Sequence, residues 1–350
     1  MKDVLIAMSG GVDSSVTAWK MQQAGYACQG AVMKLFGKVN TGIADAETMA
    51  HKLGIPFHVF DFQPEFRTRV LDRFVQTYLA GHTPNPCVIC NRHLKFEQLL
   101  RKAQELGIER MATGHYAQIE YDSASNRSLL KKAVDETKDQ SYVLYTLTQA
   151  QLPRVFFPLG ALCKSEVRDI AESLGFSNAQ RRDSQDLCFV PDGDYAAFIE
   201  EYRGQTCPPG NFVDQTGKVL GQHKGLIRYT IGQRKGLGIA APAPYYVCGH
   251  NVQDNTVILG SETDLQVQSL TATDINLIPF DRLEGSLRAA VKVRYRQRGD
   301  WATVRQIDSN SLHILFDEPQ KGVALGQSAV LYDGDYVLGG GMITHTEGNL

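Results

Sequence analysis

Hydrophobic positions in the first part of the chain follow two alternating rhythms. Val4-Leu5-Ile6-Ala7-Met8, Ala27 to Phe36 and Phe57 to Phe62 are short apolar runs of the kind that form buried parallel strands. Between and after them come helical patterns. Ala44 to Leu53 is stopped by Gly54, and Phe66, Val70, Phe74 and Tyr78 recur every four residues as one apolar stripe. Leu94 to Leu106 predicts a further helix ended by Gly107, then a short strand at Arg110 to Thr113, and Lys164 to Ser173 a helix stopped by Gly175. Strand–helix alternation predicts an α/β domain, a parallel sheet wrapped by helices with ligands at the carboxyl ends of its strands. Beyond about residue 200 the rhythm changes. Cys207-Pro208-Pro209-Gly210 reads as a linker, short strands follow, and Asp333-Gly334 between Ala329–Tyr332 and Tyr336–Leu338 predicts a hairpin. The expected organisation is a catalytic domain over 1–200, a small middle domain over 201–265 and a β-barrel-like domain over 266–350.

The turn after the first apolar run carries the clearest chemistry. In Ser9-Gly10-Gly11-Val12-Asp13-Ser14, two glycines let backbone N–H groups and the positive end of the following helix approach an anion, and the serines add hydroxyl donors. A Walker lysine is missing, and Asp13 suits holding Mg²⁺ on a leaving pyrophosphate. The stretch resembles the PP-loop of the ATP pyrophosphatases, an adenine nucleotide α-hydrolase-like fold, which implies adenylation of a substrate oxygen. The second signal is Thr83-Pro84-Asn85-Pro86-Cys87-Val88-Ile89-Cys90-Asn91, where two prolines stiffen the approach to a C-x-x-C pair. Such a pair alone is ambiguous among zinc, iron–sulfur and redox chemistry and plain coincidence. A third cysteine lies in Asp183-Ser184-Gln185-Asp186-Leu187-Cys188-Phe189, whereas Cys28, Cys163, Cys207 and Cys248 read as packing residues.

Several motifs occur in one order along nearly the whole chain: Ser9–Ser14, Met33, Thr83–Asn91, Ala112–Tyr116, Lys138–Tyr142, Phe157–Gly160, Asp183–Phe189 and Tyr229–Leu237. Together they resemble the bacterial tRNA-specific 2-thiouridylases. The resemblance implies ATP-dependent replacement of the C2 oxygen of a wobble uridine by sulfur, in tRNAs for lysine, glutamate and glutamine. By the same resemblance Ala7, Met8, Ser9, Gly10, Gly11, Val12, Asp13, Ser14, Met33 and Gly114 hold ATP. Cys90 is the nucleophile and Cys188 the carrier of persulfide sulfur. Asn85, Pro86, Cys87, His115, Lys138, Asp139, Gln140, Arg294, Tyr295 and Gln327 contact tRNA. A cysteine desulfurase relay, or another persulfide or sulfide donor protein, is the implied partner.

Many members of that family carry Asp where this chain has Cys87, and the region after Phe36 is short against the family pattern. With Cys87, Cys90 and Cys188 the chain has enough thiols for a 4Fe–4S cluster with one open iron. Two mechanisms therefore stand side by side, a persulfide relay and sulfide delivery from a cluster. Either needs thiolates in an electropositive setting, to which Arg92, Arg181 and Arg182 are candidates to contribute.

The net charge of −2 does not announce a nucleic-acid binder, so any basic surface is local. Val291-Lys292-Val293-Arg294-Tyr295-Arg296-Gln297-Arg298 alternates strictly; as a strand it would set four cations on one face for a phosphate backbone. Gln233-Arg234-Lys235 between glycines is a second candidate phosphate loop. No apolar run reaches a membrane span or a signal-peptide core, which predicts a cytoplasmic protein with neither membrane nor DNA as partner. The competing readings are a small-molecule adenylating ligase, which has no use for the cysteines, and a non-catalytic RNA-binding or iron–sulfur carrier, which has no use for Asp13.

Overall fold

The computed structural model describes residues 2–37, 41–180 and 187–348. The apolar runs form a parallel sheet. Strands β1 (Asp3–Ala7), β2 (Ala27–Lys34), β3 (Phe57–Asp61), β4 (Met111–Thr113) and β7 (Val155–Phe156) lie in the order β3-β2-β1-β4-β7. Between β4 and β7, β5 (Gln118–Asp122) and β6 (Arg127–Lys131) form an antiparallel hairpin. Helices α1 (Val12–Gln23) and α2 (Thr41–Lys52) follow the first two strands. Next come α3 (residues 63–79) and α4 (residues 86–105), each with a π-wound middle, Arg67–Leu71 in α3 and Asn91–Leu99 in α4. Helix α5 (Lys164–Ser173) has the bounds its periodicity predicts, and α6 (Tyr195–Arg203) closes the domain on a left-handed Gly204.

The predicted stripe Phe66, Val70, Phe74 and Tyr78 is buried. Each such side chain taken from water contributes about 1.5–3 kcal/mol. They pack with Leu5, Leu94 and Tyr142, and also with Val330, Tyr332 and Val337 from the end of the chain. The first and last parts of the protein therefore share one core.

A small sheet follows, β8 (Gly210–Val213), β9 (Val219–His223), β10 (Tyr246–Asn251) and β11 (Thr256–Gly260), in the order β10-β11-β8-β9 around Phe212, Val247 and Leu259. The remaining strands are β12 (Gln266–Leu277), β13 (Ser286–Lys292), β14 (Asp300–Asp308), β15 (Ser311–Lys321), β16 (Ser328–Asp333) and β17 (Tyr336–Gly348). They run β12-β15-β14-β13-β16-β17, and the β12–β17 pairing closes them into a barrel with no free edge. The predicted hairpin joins β16 to β17, with Gly334 at φ 56° in the turn. The hairpin β5–β6, inserted in the first domain, pairs through Leu130 and Lys131 with Val337 and Tyr336 of β17. Backbone hydrogen bonds thus tie the barrel to a hairpin inserted between β4 and β7 of the sheet that carries the loop.

One predicted strand is corrected. The chain leaves β13 at Lys292 and turns, with Gln297 N–H donating to Arg294 C=O (3.2 Å), because Val291 already pairs with Asp300 across the hairpin. Val293 is buried and Arg294, Tyr295 and Arg296 stand exposed on the turn. Lys292 points elsewhere, over the Tyr332 ring (4.9 Å) and toward Asp139 (4.0 Å). The four cations do not form one strand face.

Candidate active site

Every segment expected to hold ATP lies at a carboxyl end of neighbouring strands: Ser9–Ser14 after β1, Met33 near the end of β2, Gly114 after β4. The loop is fastened from inside. Ser14 Oγ donates to Gly11 C=O (2.9 Å) and accepts from Ser9 N–H (3.2 Å), and Asn178 donates to Gly10 C=O and Ser15 Oγ (both 3.0 Å). Gly11 caps α1 without a side-chain hydrogen bond, which leaves the helix N-terminus open to an anion. Gly10 has φ 78°, and a Cβ there would lie 2.7 Å from Gly42 C=O and from Asp45 Cβ. Gly114 packs so closely on Asp13 that a Cβ would sit 3.0 Å from its backbone carbon. Gly10→Ala is expected to cost about 1–3 kcal/mol in urea unfolding and to weaken ATP binding, since the residue must leave the left-handed region.

Asp13 is the polar centre. Its carboxylate accepts from Lys164 Nζ on both oxygens (2.7 and 2.8 Å) and from Tyr116 Oη (2.8 Å). Lys164 is a buried lysine at the start of α5, and its ammonium lies over the Tyr116 ring (5.6 Å). The sequence shows no loop lysine, yet the fold brings one from a distant helix. The only sequence signal is that Lys164 opens a helix, where a cation is disfavoured by the helix dipole and needs another reason to be present.

The cysteine segment is built as a helix start. Asn85 caps α4, its side chain accepting from Val88 N–H (3.4 Å), and Pro86 occupies the first turn. Gln327 in the barrel donates to Thr83 C=O (3.1 Å) and Pro84 C=O (3.0 Å), while Thr83 N–H donates to Leu325 C=O (2.8 Å). The barrel therefore holds the approach to Cys87. Cys188 sits on a turn closed by Val190 N–H to Leu187 C=O (2.8 Å) and pinned by Phe189, whose ring packs edge-on against Phe74 (5.1 Å) and Phe66 (5.8 Å).

The three thiols share one electrostatic neighbourhood. Burial pushes Cys90 up to about 12; Lys95 opposes this, while Cys188 and Cys87 add to it. Cys87 and Cys188 are raised for the same first reason, although both keep exposed surface, and Lys95 counters there too. Of the arginines expected nearby, one is described. Arg92 is paired with Asp274 of β12, and Arg181, Arg182 and Asp183–Asp186 lie outside the described residues. Among the described residues no three His, Cys, Asp or Glu side chains are gathered so that they could hold a metal ion, which leaves the expected cluster on Cys87, Cys90 and Cys188 without support from the structure. The carboxylate expected to hold Mg²⁺, that of Asp13, accepts from Lys164 and Tyr116 here.

His115 is buried, its Nδ1 2.6 Å from Thr113 Oγ1 and its Nε2 3.4 Å from Lys95 Nζ. Burial first, then Lys95, holds it well below the ordinary histidine range, so the ring is neutral. Both ring nitrogens are engaged inside the protein. Gln140 closes on Tyr116, with Oε1 accepting its N–H (3.0 Å), and Asp139 accepts from Ala133 N–H (3.0 Å) and Ser141 Oγ (2.8 Å). Tyr295 Oη donates to Asp139 C=O (3.0 Å), and Arg294 donates to Lys321 C=O (2.9 Å). Lys138–Gln140 and Arg294–Tyr295, far apart in sequence, thus meet on one surface, and Tyr295 lies near enough to Cys87 to feel its charge. In the middle domain Gln233 is spent on Thr230 N–H (3.1 Å), leaving Arg234 and Lys235 exposed.

Comparison with known proteins decides the family. Residues 2–192 match the tRNA methyl transferase HUP domain, 196–261 the tRNA methyl transferase PRC-barrel domain and 267–343 the aminomethyltransferase β-barrel domain. The chain is 44% identical over 353 residues to the tRNA-specific 2-thiouridylase MnmA of Clostridioides difficile, covering 98% of each chain. It is 45% identical over 355 residues to the protein of that name from Acetivibrio thermocellus, covering 98% and 99%. The chain belongs to the tRNA-specific 2-thiouridylase family. In this 2-thiouridylase-family chain the HUP domain carries the PP-loop, and the barrel that the third match covers holds the cysteine segment in place. Among the described residues no helix is long and apolar enough to cross a membrane.

Proposed function

We propose that the protein replaces the C2 oxygen of the wobble uridine by sulfur in tRNAs for lysine, glutamate and glutamine, using ATP. The observation that carries this reading is the continuity between two sites. Asp13 packs on Gly114, His115 follows and touches Lys95, and Lys95 acts on Cys90 and Cys188. A site that activates an oxygen thus adjoins one that supplies sulfur.

In this reading the α1 N-terminus and Ser9–Ser14 bind the phosphates, with Lys164 within reach of the same charge. Mg²⁺ held by Asp13 would neutralise the leaving pyrophosphate. The uridine O2 attacks the α-phosphorus, pyrophosphate leaves and the N3 proton is lost, so C2 carries a good leaving group. The terminal sulfur of a Cys188 persulfide attacks C2, and the C2–O bond breaks to release AMP. The Cys90 thiolate then attacks Cys188 Sγ, cleaving the S–S bond to the base. This forms a Cys90–Cys188 disulfide and 2-thiouridine, which regains a proton at N3. A dithiol reductant and a persulfide donor such as a cysteine desulfurase relay reset the enzyme. The raised thiols of the free protein mean that both must lose a proton once substrate and cations are assembled.

Pyrophosphate release tests the reading against its rivals. Release that requires tRNA supports thiolation, release with a small amine or acid supports a ligase, and none supports a carrier. Iron and sulfide assay of anaerobically purified protein separates the two sulfur routes, since thiolation by iron-free protein excludes the cluster.

The Arg294–Tyr295 turn beside Lys138–Gln140 is the proposed tRNA contact. Arg294→Ala is expected to weaken tRNA binding about three- to tenfold and to lower the log–log salt slope by about 1, in filter binding across a salt series.

A further inference from the structure

The middle of α4 is wound as a π-helix over Asn91–Leu99, directly after Cys90. Winding decides what Lys95 faces. In an α-helix at 3.6 residues per turn, the fifth residue on stands about 140° round from the first. In a π-helix the hydrogen bond runs from i to i+5 and the turn widens to about 4.4 residues, so the fifth residue on stands only about 50° round and Lys95 comes to the side of Cys90. Cys87, one α-turn earlier, shares that side. Asn91 anchors the segment by donating to Val143 C=O (3.0 Å).

Lys95 is also held at its tip. Its ammonium meets Nε2 of His115 (3.4 Å), and a ring protonated on Nδ1 satisfies both Lys95 and Thr113. Phe96 and Phe157 pack on that ring at 5.7 and 5.8 Å, fixing it at the end of β4. Lys95 is the one cation acting on all of Cys87, Cys90 and Cys188 among the described residues.

We propose that Lys95 is a further residue of the sulfur-transfer site, a positioning cation that the π-turn aims at the cysteines and His115 holds there, steadying the negative charge on the transferring sulfur. The neutral imidazole serves as its acceptor and fixes where the ammonium stands. This rests on the reading that Cys90 and Cys188 transfer sulfur.

The test compares wild type, Lys95→Met and Lys95→Arg, each loaded with persulfide, in single-turnover thiolation of unmodified wobble-uridine tRNA, with pyrophosphate release followed in parallel. Lys95→Met is expected to slow thiolation about 100-fold or more, while pyrophosphate release falls only severalfold, and Lys95→Arg to recover most of the loss. Lys95→Met thiolating at the wild-type rate overturns the proposal. So does equal loss of both activities in both variants, which would place Lys95 in folding or ATP binding. Wild type that releases pyrophosphate without thiolating tRNA refutes the function itself, and the role of Lys95 with it.

Discussion

Cys90→Ser and Cys188→Ser are each expected to lower 2-thiouridine formation by at least about 10³-fold, because a hydroxyl can neither carry sulfane sulfur nor resolve an S–S bond at neutral pH. The two losses differ in kind. Without Cys188 no persulfide forms on the enzyme, and persulfide labelling of that position disappears. Without Cys90 the Cys188 persulfide still loads, but the base stays bound through sulfur as a covalent adduct that gel shift under non-reducing conditions reveals. ATP binding persists in both, since the nucleotide segments hang on β1, β2 and β4 rather than on the cysteine turns. Full thiolation by either variant removes that cysteine from the mechanism.

Asp13→Ala is expected to have the second large effect, a fall in tRNA-dependent pyrophosphate release of about 10²–10³-fold. It also has a structural consequence. Lys164 has 9% of its side-chain surface exposed and donates to both oxygens of Asp13, so truncation removes two charge-assisted hydrogen bonds from a nearly buried ammonium. A loss of about 1–3 kcal/mol follows in denaturant unfolding. The double variant Asp13→Ala, Lys164→Met separates the two effects. It should regain part of the stability, because the buried ammonium itself is gone, and none of the activity. An inactive protein that recovers activity together with stability would mean that Asp13 matters only for folding.

Much of the catalytic half was legible in the sequence because its signals are local. The stripe Phe66–Tyr78 and the helix Lys164–Ser173 follow from periodicity, and the strand–loop–helix at Ser9–Ser14 from a buried run meeting glycines. The Val291–Arg298 alternation misled, because pairing of Val291 with Asp300 ends the strand before the arginines. Strand pairing is non-local, and alternation cannot report it. The same limit hid the pairing of β6 with β17 and the grip of Gln327 on Thr83 and Pro84. Lys164 and Lys95 escaped notice for a related reason. One reaches its site from a distant helix, and the other depends on a π-turn that no residue type announces.

The measurement that reaches the central claim most directly is nucleoside mass analysis of unmodified tRNA for lysine, glutamate or glutamine after incubation with the protein, ATP and a persulfide donor. The account predicts 2-thiouridine at the wobble position, formed only when ATP is present and absent with Cys188→Ser. Wobble uridine left unchanged, under conditions where the protein binds ATP and tRNA, would contradict it.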